Sequence, residues 1–204
     1  MTPRPDPVAQ PDTPEGEKRK PGLQMPSLRL LLRQRTIIIA KPVDRMLMER
    51  VTASLLVLDG RNPQKLITVF VNSPGGDADS GFAIYDAMRF VKAPLRTICS
   101  GLAASAAVPI FLGGRKGMRF AWPNSRFLLH QPSMQMMGAA SDIEITSREI
   151  ERVREKYNKI VEEESGRPMA KVKADTNRDF WLTAADAVEY GLVDRIVTRA
   201  TELD

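Results

Sequence analysis

Apolar residues along this chain keep changing period, from short unbroken runs to three/four spacing and back again, between residues 36 and 197. "TIII" at 36–39 is a short apolar run of the kind that forms a buried strand. Asp44 stands where a helix cap would, and Met48, Val51, Leu55 and Leu58 follow at helical spacing. Asn62-Pro63 then turns the chain toward a second strand, Leu66 to Val71. The turn "NSPGGD" leads to a helix with Ile84, Met88 and Val91 on one face, and Leu95 to Cys99 reads as a third strand. After "SGLAASAAVPIF", the break "GGRKG" precedes two short strands near Arg119 to Ala121 and Phe127 to His130. Ser141 with Glu144 predicts a capping box at the start of a long helix, whose Ile143, Ile150, Val153, Tyr157 and Ile160 form an apolar stripe. A short helix capped by Thr183 and closed by Gly191 leads to a last strand, Val193 to Val197. Strands alternating with helices predict an α/β domain, and no internal repeat is present.

Residues 1–26 depart from this pattern. They hold seven of the fifteen prolines, no aromatic residue, and four basic against four acidic side chains. Such a segment buries too little apolar surface to offset its ordering entropy, which predicts a disordered tail and a folded domain over 27–204, beginning near Leu28. A chain of 204 residues, 43% of them hydrophobic, is long enough for one domain with a sizeable core. No apolar stretch approaches the roughly 18 residues of a membrane span. The net charge of +5 is spread out, with no basic block interleaved with aromatics, which argues against a nucleic-acid partner. The one cysteine, Cys99 in "TICS", cannot form an intrachain disulfide and reads as a buried thiol. Without an apolar signal core, and with four acidic residues near the N-terminus, the expected compartment is the cytoplasm.

Chemistry concentrates in three places. Ser105 lies among alanines with Gly101 upstream, as a hydroxyl held at a sharp turn would require. His130 is the only histidine, near the end of a strand that Pro132 must close, and histidine is the side chain best suited to take a serine proton near neutral pH. "SPGG" at 73–76 follows a strand and precedes a helix, where paired glycines can present backbone N–H groups to developing negative charge. A carboxylate would orient the histidine, and Asp175, Asp179 and Asp186 are all available; spacing does not choose between them. "GGRKG" lacks the spacing of a phosphate-binding loop, so nucleotide binding is rejected. The residues by themselves describe a serine hydrolase of unspecified substrate.

The runs "NSPGG", "GLAASA", "NSRFLLHQP" and "DTNRDFWLTAADAVEYGLVDRIV" occur in this order, with 25 residues from Ser105 to His130 and 49 from His130 to Asp179. In that order and spacing they resemble the proteolytic subunits of the Clp protease family, over residues 30–198. The resemblance implies a ClpP/crotonase-type ββα superhelix with a protruding strand–helix handle over 133–165. It implies Ser105 as nucleophile, His130 as general base, Asp179 as orienting carboxylate, and the N–H groups of Gly76 and Ala106 as an oxyanion hole. The mechanism implied proceeds through an acyl-enzyme. Also implied are stacked heptameric rings of this chain or a paralogue, acting on unfolded polypeptides delivered by an AAA+ unfoldase, the partner that consumes ATP.

Four departures from the family pattern carry expectations of their own. The N-terminal segment is proline-rich, and no aromatic residue precedes Phe70. Thr68 stands where relatives often have a tyrosine in the ATPase docking pocket. Asn177, beside Arg178, replaces an aspartate that pairs across the ring interface, which predicts a weaker dependence on that contact. Leu102 replaces a common glutamine, and Pro109 lies four residues after Ser105, predicting a kinked or shortened helix and a displaced serine. The competing readings are a weakly active paralogue that co-assembles with another Clp-type subunit, a crotonase-type acyl-CoA enzyme, and a non-catalytic ring scaffold.

Overall fold

Where the apolar period changes, the chain changes element. In the computed structural model, which describes residues 24–132 and 137–203, β1 is Thr36–Ile39, α2 Arg45–Arg61, β2 Ile67–Ser73, α3 Ala78–Phe90 and β3 Leu95–Ala104. Most of the expected tail, and Ser133 to Met136 of the expected handle, lie outside the described residues. Asp44 caps α2 by accepting from the Leu47 N–H at 2.7 Å, and Asp77 caps α3 by accepting from Ser80 N–H at 2.9 Å. α2 buries Leu47, Val51, Leu55 and Leu58, so its inner stripe begins one residue before the Met48 expected from spacing. β1, β2 and β3 pair in parallel, and the two crossover helices pack against each other on one face of the sheet.

β3 forks the sheet. Its first half pairs with β4 (Arg119–Ala121), and its second half, Leu102 to Ala104, pairs with β5 (Arg126–Leu129). β3 therefore runs five residues beyond the predicted Cys99 and delivers the chain directly to Ser105. β7 (Arg195–Ile196) joins β4 in parallel, and β6 (Phe180–Thr183) pairs antiparallel with β5. The remaining helices are α1 (Gln24–Arg33), α4 (Ala107–Leu112), α5 (Ala140–Ser165), α6 (Met169–Asp175) and α7 (Ala184–Tyr190). Among the described residues no helix is long and apolar enough to cross a membrane.

Three expectations need correction. α1 begins at Gln24, so structure starts ahead of Leu28; Pro26 falls in its first turn, where a missing N–H leaves nothing unpaired. No capping box forms at Ser141. α5 is capped by the Ala139 backbone, and the Glu144 carboxylate accepts from Arg148 at 2.7 Å instead. Pro109 is the third residue of α4, again within the first turn, so it neither removes a helical hydrogen bond nor kinks the helix. α4 is nevertheless short, six residues, as expected, and its last bonds run from the Gly113 N–H to the carbonyls of Pro109 and Ile110.

A buried ion pair braces the base of the domain. Arg119, 1% exposed, donates to the Glu164 carboxylate and carbonyl of α5 and to the carbonyls of Leu112 and Gly114 at the end of α4. Tyr85 of α3 donates to the other Glu164 oxygen at 2.8 Å. Burial raises the Glu164 pKa, but the hydrogen bond and charge of Arg119 outweigh it and hold the carboxyl below its ordinary value.

Candidate active site

Ser105 takes a left-handed backbone conformation, φ 56°, between β3 and α4. Such a φ is uncommon for a residue with a side chain and is kept only where the surroundings enforce it. They do so here. The Ser105 N–H donates to the Leu128 carbonyl at 2.9 Å, and the Ser105 carbonyl accepts from Val108 at 2.9 Å. A Cβ on Gly75 would stand 2.5 Å from the Ala104 carbonyl and 2.7 Å from Ser105 Cβ, while one on Gly81 would stand 2.9 Å from the Ala106 carbonyl. Bulk at 104, 106 or 107 has nowhere to go, which is why this stretch is built of alanine: all three are buried.

"SPGG" is fixed from the other side. Gly76 bridges to Val43, with Val43 N–H donating to Gly75 and Asp77 N–H to Val43, both at 2.8 Å, and a Gly76 Cβ would lie 2.3 Å from the Val43 carbonyl. The N–H groups of Gly76 and Ala106 have no protein acceptor among the described residues, and both residues line the cavity that holds Ser105.

His130 follows β5 and Asp179 precedes β6. Because Leu129 pairs with Phe180 in that antiparallel ladder, His130 and Asp179 are the next facing positions, with Nδ1 and Oδ1 3.5 Å apart. The other carboxylates left open by spacing are occupied elsewhere. Asp175 accepts from Tyr190 Oη at 2.9 Å and pairs with Lys171, and Asp186 closes the capping box of α7. Hydrogen bonds from Thr183 hold the Asp186 carboxyl below its usual pKa. Among the described residues no hydrogen bond joins Ser105 Oγ to His130; apo sites often tighten only around a substrate.

Ser105, His130, Gly76 and Ala106 face one cavity of about 680 Å³. Its apolar wall is Phe82, Leu128, Ile150, Val153 and Tyr157, with Glu149, Arg152 and Lys156 at the rim. The stripe on α5 had been legible as a packing face; that it walls the cavity was not, because Phe82 and Leu128 opposite it come from distant parts of the chain. Asn177 and Arg178 are exposed on the turn before Asp179. Thr68 accepts hydrogen bonds from the Arg96 guanidinium at 3.2 and 3.3 Å. Cys99 is fully buried, and burial raises its thiol pKa to about 11.

The "Clp protease" family model matches residues 22–200 of the chain. The chain is 42% identical over 192 residues to an ATP-dependent Clp protease proteolytic subunit 2 of Treponema denticola, covering 94% of this chain and 96% of that protein. Its fold superposes on a ClpP1 mutant from Listeria monocytogenes with a TM-score of 0.81 at 34% identity, covering 87% of this chain and 99% of the other. The chain belongs to the Clp protease family, and its fold is that family's α/β fold. Its class of activity is that of a peptidase.

Proposed function

We propose that Ser105, His130 and Asp179 form the hydrolytic triad of a self-compartmentalised serine endopeptidase subunit. The observation that carries this reading is the facing of His130 and Asp179 at 3.5 Å beside the cavity that also holds Ser105. His130 takes the Ser105 proton as Oγ attacks a peptide carbonyl carbon. The oxygen's negative charge falls toward the free N–H groups of Gly76 and Ala106, an interaction whose loss typically costs about 100-fold to 1000-fold in rate. Return of the proton to the leaving amine breaks the C–N bond and leaves an acyl-enzyme. A water activated by the same histidine then releases the acyl group and restores Ser105. Asp179 holds the imidazole in the tautomer this requires and stabilises its cation.

The apolar cavity wall suits extended, unfolded chains, whose side chains are free to enter it. Assembly into rings is supported by α5. All its buried residues lie at or beyond Tyr157, while Ile143 and Ile145 near its start are 42% and 59% exposed. In this reading an AAA+ unfoldase supplies substrates and consumes the ATP, this chain binds no cofactor, and the enzyme works in the cytoplasm. Labelling by a fluorophosphonate probe, with Ser105→Ala as control and across fractions of different oligomeric size, tests it. Serine-dependent labelling in a ring-sized fraction is expected. Equal labelling of Ser105→Ala overturns the assignment, and labelling only after a second Clp-type subunit is added favours a co-assembling paralogue.

A further inference from the structure

Asp179 is the most exposed member of the candidate triad, its side chain 65% accessible, and among the described residues only His130 meets its carboxylate. Its place is set by the segment just before it. There, three consecutive residues are pinned to three different parts of the molecule. Asp175 accepts from Tyr190 on α7 at 2.9 Å. Thr176, fully buried, is bonded through Oγ1 to Asn158 of α5 at 2.9 Å. The Asn177 carbonyl accepts from Gln131 Nε2 at 3.0 Å.

The third pin differs from the others, because Gln131 is the residue next to His130. We propose that Gln131 is a positioning residue: its amide ties the turn carrying Asp179 to the chain carrying His130, so that base and carboxylate keep their separation when either strand end moves. The β5–β6 ladder has its last pair at Leu129 and Phe180, so His130 and Asp179 lie beyond backbone pairing. One side-chain bond from position 131 to position 177 closes the ladder past the reacting pair and brackets it on both sides. Gln131 does not line the cavity, so it acts through the triad and not on substrate.

This inference rests on the triad reading above, and the experiment separates the two. Steady-state peptidase or activated-ester kinetics are compared for the full-length chain, Gln131→Met, Asp179→Asn and the double variant. A 1 Å misplacement of a reacting group can cost about 100-fold, so loss of this single tether is expected to lower kcat about tenfold with KM unchanged. In the Asp179→Asn background Gln131→Met should add nothing. Since His130 is the only histidine, a carbon-13 histidine label reports it alone. Its resonance should shift in Gln131→Met in the direction in which Asp179→Asn shifts it. Wild-type kcat in Gln131→Met while Asp179→Asn is impaired overturns the inference and leaves the triad standing. Full activity in Asp179→Asn overturns the triad reading itself. An equal loss from Gln131→Met in both backgrounds, or a loss that follows failed assembly with the histidine resonance unmoved, also overturns the inference.

Discussion

At Ser105 the backbone is walled in by Gly75, Gly81 and the buried alanines on either side, whereas at Asp179 the chain lies exposed and is steered by a few side-chain hydrogen bonds. Packing and tethering fail differently. A close-packed corner admits no intermediate error, since any added atom displaces backbone that has no alternative position. A tethered turn loses one bond at a time and shifts by fractions of an ångström. Gross disruption of this enzyme should therefore come from its serine side and graded tuning from its carboxylate side.

The sharpest way to break that contrast is Gly75→Ala. The new methyl would overlap Ser105 Cβ and the Ala104 carbonyl at a residue whose φ is 85°. We expect fluorophosphonate labelling to fall at least about 100-fold, given what small misplacements cost. Near-normal labelling would mean that the corner yields. Next in size is Glu164→Ala, which strands the Arg119 guanidinium under α4. Breaking a buried pair typically costs about 3–5 kcal/mol, measurable by denaturant unfolding.

The same pair gives a pH dependence. The folded-state pKa of Glu164 lies below its ordinary value, so the unfolded chain binds the proton more readily. Its stabilisation is complete above the usual carboxylate range and is lost as pH falls through the lowered folded pKa. Thermal unfolding should become less steeply acid-sensitive in Glu164→Gln, and an unchanged slope would remove Glu164 as a source.

Thr176→Val probes the carboxylate side, where the effect should be smaller: about 1 kcal/mol of stability and a partial loss of kcat, with Thr176→Ser close to wild type. Complete loss in Thr176→Val with a well-folded protein would show that this side is as intolerant as the other. Least of all should Pro109→Ala change labelling kinetics, because position 109 lies in the first turn of α4. A large change would restore the idea that this proline displaces the serine.

How much of this was legible in sequence follows the same division. Ser105 among small residues, the paired glycines and the strand-end histidine are local features, and each sits where its local chemistry suggested. The strand–helix alternation from Thr36 to Tyr190 was equally local, as was the cap at Thr183, though not the reciprocal bond from Asp186 that makes it a box. Spacing left Asp175, Asp179 and Asp186 open and only the family resemblance pointed to Asp179, because the bonds from Tyr190 and Thr183 that occupy the other two are not visible along the chain. The Ser141 box failed because α5 starts at Ala140, which puts Ser141 inside the helix, while Glu144 bonds Arg148 one turn on; a spacing rule sees neither. α1 was obscured by Pro26, which is punctuation in a loop but acceptable in a first helical turn. The bond from Gln131 to Asn177 spans 46 residues, and no periodicity in the chain announces it.

α5 carries one more consequence. Its first half is laced by Arg148–Glu144 and Arg152–Glu149 pairs and buries nothing, and exposed ion pairs of this kind add only tenths of a kcal/mol each. In the ring reading proposed above, a neighbouring subunit covering Ile143 and Ile145 would stabilise that half by mass action, so its order should depend on concentration and dilution should loosen it well before the sheet responds.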